Sequence, residues 1–578
     1  KKTGFRSRRP SPGGFYAAPM QPALDQPWWK DAVVYQIYPR SFADSNGDGI
    51  GDLPGITAHL DHLSELGVDT VWLSPHFDSP NADNGYDIRD YRTVMREFGT
   101  MADFDHLLAE MTQRGIRLVI DLVVNHSSDE HEWFVASRSS LHNPYRDYYI
   151  WRDPAPDGGP PNNYPSFFSG SAWQLDEATG QYYLHYFAVK QPDLNWEHEP
   201  VRDEVYDVMK FWLDKGVAGF RMDVIPFISK QPGLPDLTPD QRRAAQFTYA
   251  NGPRVHEFLH EMHTEVLGPY EAMSIGEAFG VTLDDAHLFT DARREELSMI
   301  FHFYAVRLNH PSWRRTDWAL PEFKAIYTAI DRAAGEHGWS TSFLGNHDNP
   351  RPVSSFGNDT PEWRERSATA IATMILTQRA TPFIYQGDEL GMTNFPFERI
   401  EQYDDIEVKG LWRTLVETGK VPADELLGHL RHTSRDHART PMQWDATANA
   451  GFTTGAPWLA VNPNHTHINA ASQRANHQSV FHHHRQLIAL RNAHPVLVHG
   501  SYTDLDPAHP QVFAYERVLG GTRMLVAINW NHQPVEWGLP SNRAIGEVVL
   551  HNHAGATPSQ GATQLRLHGW QALVATLA

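Results

Sequence analysis

An α/β fold, a (β/α)8 TIM barrel with an inserted lobe after its third strand and a C-terminal antiparallel β-sandwich, is what the sequence predicts. Three observations predict it. Short apolar, β-branched runs recur eight times, helix-patterned segments lie between several of them, and the runs end in polar residues that a core would reject. The runs are VVYQIYPRSF (33–42), TVWLSP (70–75), RLVIDLVVNH (117–126) and GFRMDVI (219–225), then MSIGEAF (273–279), SMIFHF (298–303), STSFLGNHD (340–348) and TPFIYQGDEL (381–390). ITAHLDHLSELG, FDHLLAEMTQRG and REELSM are among the intervening helical patterns. A doubly wound open sheet competes, but no glycine-rich phosphate fingerprint follows the first strand.

The spacing of these runs divides the chain. The barrel is assigned to 27–126 and 196–497, with an insert at 391–460 after the eighth strand. The Pro-, Asn-, Tyr- and Trp-rich stretch 127–195 is too long for a plain connection and reads as a separate small lobe. From 498 to 578 the pattern changes: VFAYERV, Gly520-Gly521 and TRMLVAINW signal a hairpin, and further short strands complete a β-sandwich. Residues 1–26, basic and then rich in Pro, Gly and Ala, read as a flexible arm, either the remainder of a signal peptide or a cloning scar.

Composition limits the function classes. The chain has 578 residues with 49 basic and 70 acidic side chains, a net charge of −21 that argues against nucleic acid or an anionic membrane as partner. No run of apolar residues is long enough to span a bilayer. With no cysteine there is neither a disulfide frame nor thiolate chemistry, which suits an oxidising compartment and the cytoplasm alike. The expectation is a monomer acting on a small neutral molecule, periplasmic or secreted in preference to cytoplasmic.

The strand ends carry the chemistry. Asn125-His126, Arg221 and Asp223, Glu277, and Asn346-His347-Asp348 close four of the runs, and in a barrel these positions converge on one mouth. Arg221 and Asp223 are two apart on one strand and face the same side. Carboxylates gathered with histidines and an arginine suit glycoside cleavage, in which one carboxylate is the nucleophile and another, of raised pKa, protonates the leaving oxygen.

DLVVNH, GFRMDV, GEAFG and FLGNHD resemble, in order, the four signature regions of glycoside hydrolase family 13, the α-amylase family, and QPDLNW (191–196) resembles its fifth. The resemblance implies that Asp223 is the nucleophile, Glu277 the general acid/base and Asp348 the third, transition-state carboxylate. It implies that Arg221 holds Asp223 ionised and that His126 and His347 bind hydroxyls of the −1 sugar. Asp83 and Tyr86, in NADNGYD, match residues that hold the non-reducing glucose, with Arg435 of TSRDHARTPMQWD at the same end. Phe187 and Gln191 join the substrate-binding set. No organic cofactor is implied. DSNGDGIGD (44–52) resembles a calcium loop, with Asp44, Asn46, Asp48, the Ile50 carbonyl and Asp52 as oxygen donors to a structural Ca2+ or Mg2+.

Within the family the wording is similar to the oligo-1,6-glucosidases, dextran glucosidases and sucrose isomerases. MDVIPFISK resembles the 1,6-glucosidases, in which a valine at the position of Val224 goes with α-1,6 linkages. Phe279 and Phe303 match the aromatic pair that clamps fructose in sucrose isomerases, and Arg307 an acceptor-side arginine, although RLNHP (307–311) departs from the charged run that follows it there. The reading is a retaining, exo-acting α-glucosidase of isomaltose-type or sucrose-like substrates, with transglucosylation. Sucrose isomerase is the alternative, and a non-catalytic relative the reading from another class.

Overall fold

The structure is a computed structural model that describes residues 26–578 other than 541, 542 and 556. The expected N-terminal arm, apart from its last residue, lies outside the described residues. Eight parallel strands form the central sheet: β1 (Val34–Ile37), β2 (Thr70–Leu73), β3 (Arg117–Leu122), β4 (Gly219–Met222), β5 (Met273–Glu277), β6 (Met299–Phe301), β7 (Thr341–Ser342) and β8 (Thr381–Tyr385). They run in the spatial order β6-β5-β4-β3-β2-β1-β8-β7. The Thr341 hydroxyl donates to the Ile300 carbonyl at 3.0 Å where β7 meets β6, bringing the two ends together into a near-closed barrel. Each of the eight apolar runs in the sequence supplies one of these strands.

The period-2 alternation of a strand explains why the runs are apolar throughout. Along β2, Val71 and Leu73 pack outward with helix residues such as Leu63, Leu107 and Trp212. Trp72, between them, points inward and joins Val34, Val119, Met273 and Phe301. The surrounding helices bury one stripe each. In Met101–Gln113, Phe104, Leu107, Leu108 and Met111 are buried, a spacing that keeps one face on the sheet. Thr100 and Asp103 close its N-terminus as a reciprocal capping box. Helix Glu199–Lys215 stops at Gly216, whose φ of 107° suits only a residue without Cβ.

Between β3 and β4 lies a three-stranded antiparallel sheet of Trp151–Arg152, Gln181–Leu184 and Trp173–Asp176, in that spatial order. After the barrel, a five-stranded antiparallel sheet is built around the hairpin Val512–Leu519 and Thr522–Asn529. Its alternate residues serve two cores. Phe513, Tyr515, Met524 and Val526 pack towards the barrel, while Val512, Ala514, Leu525 and Ala527 pack with Trp537 and Leu565 of a second, two-stranded sheet. Among the described residues no helix is long and apolar enough to cross a membrane.

Register fixes what reaches the mouth of the barrel. Asp121 of β3 and Ile275 of β5 lie level with Arg221 of β4, and Asp223 and Glu277 occupy the next step towards the strand C-termini.

Candidate active site

Arg221 organises the site. Its Nη1 lies 2.9 Å from Asp121 Oδ1 and 2.7 Å from Asp223 Oδ1, and its Nη2 lies 2.6 Å from Glu277 Oε2. A planar guanidinium presents donors in a fixed fork, so one side chain spans both carboxylates and sets their separation. Asp121 is itself held by Trp72 Nε1 at 3.2 Å and the Tyr86 hydroxyl at 3.1 Å. All these groups are buried, where an unpaired charge would be prohibitive.

The three carboxyls are set apart by their surroundings. Burial, with Asp223 and Asp348 nearby, pushes Glu277 up to about 8 despite Arg221 and the Val224 N–H. Burial also raises Asp223, to about 6, with Arg221 opposing. Asp348 is buried too, yet the His347 ring and the guanidiniums of Arg435 and Arg439 hold it well below the ordinary carboxylate range. Arg435 Nη1 lies 3.1 Å and Arg439 Nη2 3.0 Å from Asp348 Oδ1. Arg435 also clasps Asp405, with Nε 3.0 Å from Oδ2. Of these three, Glu277 is the one protonated at neutral pH, facing ionised Asp223, the division of labour of a nucleophile and a general acid.

Val224, directly after Asp223, has φ 33° and ψ 39°, a left-handed conformation costly for a β-branched residue. That turn aims its backbone N–H at Glu277 Oε2, 3.1 Å away.

His347 lies behind this layer. Gln36 Nε2, a donor only, lies 2.8 Å from His347 Nδ1, so the ring proton sits on Nε2. From there it faces the Tyr86 hydroxyl at 2.7 Å and Asp348 Oδ2 at 3.1 Å. Burial pushes this histidine down to about 3, so it is neutral.

Asp83, Tyr86, His126, Phe187, Asp223, Val224, Glu277, Phe279, Phe303, Arg307, Asp348 and Arg435 all line one cavity at the mouth of the barrel. Arg221, Gln191 and His347 do not line it. Both terminal nitrogens of Arg221 are taken up by carboxylates, Gln191 Nε2 reaches Asp83 Oδ2 at 3.1 Å, and His347 is engaged as above; they orient the wall rather than form it. Phe167, Phe168 and Glu407 also line the cavity and were not singled out from the sequence, nor were Asp121, Asp405 and Arg439 behind it. The pair Phe167-Phe168 in NNYPSFFSGSAW and the second arginine of SRDHAR were the available signals. On one side the wall is aromatic: Phe279 lies 5.9 Å edge-on to Phe303 and 5.5 Å from Phe167. The Arg307 guanidinium lies 5.4 Å from the Phe279 ring centre.

The 44–52 loop differs from the expectation of a gathered metal site. Its oxygens suit a hard cation, but among the described residues no three His, Cys, Asp or Glu side chains come together as a metal-binding group. Asp44 Oδ1 accepts from the Asn46 and Gly47 N–H groups. Asn46 Oδ1 accepts from Asp48 N–H, and Asp48 Oδ1 from Ile50 N–H. Asp52 caps the next helix through Gly55 N–H. The loop's side chains are occupied in closing the loop itself.

Comparison with known proteins agrees with this architecture. Residues 36–500 match the alpha amylase catalytic domain, and residues 502–574 the maltogenic amylase C-terminal domain. The oligo-1,6-glucosidase of Parageobacillus thermoglucosidasius is 50% identical over 559 residues, 95% of this chain and 99% of that one. Among solved structures, the isomaltulose synthase of Erwinia rhapontici, determined with its natural substrate sucrose, superposes with a TM-score of 0.94 at 54% identity, covering 96% of this chain and 100% of that one. The trehalulose synthase of Pseudomonas mesoacidophila does so with a TM-score of 0.95 at 54% identity, over 96% and 100%. The chain belongs to the α-amylase family, glycoside hydrolase family 13.

Proposed function

We propose that the protein is a retaining, exo-acting α-glucosidase that removes the terminal non-reducing glucosyl unit from short α-glucosides of the isomaltose or sucrose type. The observation that carries this reading is the single guanidinium of Arg221 binding Asp223 and Glu277 together, at 2.7 Å and 2.6 Å. Asp223 Oδ attacks the anomeric carbon while Glu277 gives its proton to the glycosidic oxygen; the C–O bond breaks and a β-glucosyl ester forms on Asp223. Glu277, now ionised, takes a proton from an incoming water or sugar hydroxyl. That oxygen attacks the anomeric carbon and frees Asp223, so the α configuration is restored. Asp348, fixed by two arginines, supplies negative charge beside the oxocarbenium-like centre. The chemistry requires no organic cofactor.

A second reading, sucrose isomerase, is favoured by the aromatic wall of Phe279, Phe303 and Arg307, which would keep water from the ester while a released fructose turns round. Incubation with sucrose and with isomaltose, followed by chromatography, tests the two. Glucose from isomaltose, or glucose plus fructose from sucrose, supports the glucosidase. Isomaltulose or trehalulose as the main product overturns it.

A structural Ca2+ or Mg2+ at the 44–52 loop belongs to the same proposal. Asp44, Asp48 and Asp52 would offer it the carboxylate lone pairs not used in accepting N–H bonds, with the Asn46 amide oxygen and the Ile50 carbonyl. A rise in Tm on adding Ca2+ to EDTA-treated protein supports it, and an unchanged Tm counts against it.

A further inference from the structure

Lys230 lies outside the substrate cavity but inside the frame that carries it. Its side chain is 8% exposed and its ammonium stands 2.6 Å from Asp193 Oδ2. It donates to Asn125 Oδ1 and to the Phe227 carbonyl, each at 2.7 Å. The three partners come from the end of β3, the turn after Asp223 and the last residues of the insertion. Asp193 and His126 also pair as an isolated antiparallel bridge, so the lysine stands at the seam between insertion and barrel.

The donor inventory of this seam has one consistent solution. An ammonium only donates, so Asn125 must turn Oδ1 towards Lys230 and Nδ2 away from it. That Nδ2 lies 3.1 Å from His126 Nδ1. An amide nitrogen also only donates, so His126 Nδ1 must be bare and its proton must sit on Nε2. Nε2 lies 3.1 Å from the Tyr86 carbonyl, an acceptor, in agreement. Gln191 is fixed as well: its Oε1 accepts from Ala188 N–H at 3.0 Å, so its Nε2 donates, to Asp83 Oδ2 and, at 3.3 Å, to Tyr86 O; that Nε2 also lies 3.2 Å from His126 Nε2, and the two nitrogens share the Tyr86 carbonyl as acceptor. Burial pushes His126 down to about 4, so the ring carries one proton only.

We propose that Lys230 is a positioning residue for the glucosyl subsite: through Asn125 it fixes the Nε2–H tautomer of His126, a ring that lines the cavity, so that its one donor is held at the Tyr86 carbonyl where a sugar hydroxyl can share it. The inference rests on the glucosidase reading for the use made of that donor, though not for the tautomer itself.

Asn125→Asp is the discriminating variant. It keeps an acceptor for Lys230 but presents a second acceptor to His126 Nδ1, drawing the proton there. We expect kcat/KM on p-nitrophenyl α-glucoside to fall about tenfold or more, the effect of one misdirected hydrogen bond, with Tm unchanged. Lys230→Met should cost about tenfold in the wild-type background and less than about twofold in a His126→Ala background, the mark of action through that ring. Equal losses in both backgrounds, or Asn125→Asp with wild-type kcat/KM, would overturn the proposal. Should Lys230→Met not fold, the Asn125→Asp and His126→Ala pair decides. Nitrogen-15 histidine NMR reads the tautomer without activity: Asn125→Asp should exchange the protonated and bare nitrogens of one ring, and an unaltered spectrum contradicts the relay. A wild-type protein inert on every α-glucoside would instead sink the glucosidase reading and leave that exchange to be seen.

Discussion

The backbone N–H of Val224 donates to Glu277 Oε2 at 3.1 Å from a residue held at φ 33°. The chain thus places a strained, β-branched residue between the nucleophile and the general acid. Its side chain lines the cavity and its backbone steadies the acid.

Val224→Thr keeps the shape of the side chain and adds a hydroxyl to the cavity wall beside Asp223. The ratio of kcat/KM on maltose to that on isomaltose should rise by about tenfold, within the range that one hydroxyl contact can command. Parallel steady-state assays on the two disaccharides measure it, and an unchanged ratio contradicts the assignment.

The pH dependence follows from the order of the two carboxyls. Turnover requires Asp223 ionised and Glu277 protonated. Activity should rise as pH passes about 6, where Asp223 loses its proton, and fall above about 8, where Glu277 loses its own. The pair is coupled through Arg221, so the two limbs of the kcat/KM profile belong to the dyad as a unit. A profile flat between pH 5 and 9 would contradict this electrostatic account.

Arg435 joins Asp348, at 3.1 Å, to Asp405. Arg435→Ala removes one of the two arginines between Asp348 and Asp405, leaving Arg439, and Asp348 should rise towards the ordinary carboxylate range. We expect kcat/KM to fall by about a hundredfold, the scale of losing one preorganised electrostatic contact at a reaction centre, with Arg435→Lys recovering part of it. Kinetics of the two variants check this.

The C-terminal sheet is fastened by Arg517, which is fully buried and donates to the carbonyls of Leu497 at 2.7 Å, Val498 at 3.1 Å and Gly500 at 2.7 Å. Arg517→Met strands those acceptors and should cost about 1–3 kcal/mol of stability. Thermal unfolding should show a lower Tm while kcat at 25 °C stays at the wild-type value.

The barrel was legible because each strand is short, apolar and ended by a polar signal, as in β3 with Asp121 and then Asn125-His126. The central carboxylates were legible because they stand at strand ends. What the sequence hid was depth. His347 and Gln191 have the residue types of ligands, and only the fold shows Gln36 and Asp83 claiming their polar atoms. Arg439 and Asp405 act from a long insert whose approach to the mouth depends on chain path, which no local pattern encodes. In the 44–52 loop the alternating oxygens that suit a cation also close successive turns by accepting backbone N–H bonds, two uses that the residue pattern alone does not separate.

The most direct test is to trap the ester. A fluorinated α-glucosyl fluoride that forms the glycosyl-enzyme quickly and releases it slowly should add one fluoroglucosyl unit to the protein. After proteolysis, mass spectrometry should find that unit on the peptide bearing Asp223. Label on another carboxylate, or β-glucose as the first product with no label at all, would contradict the account.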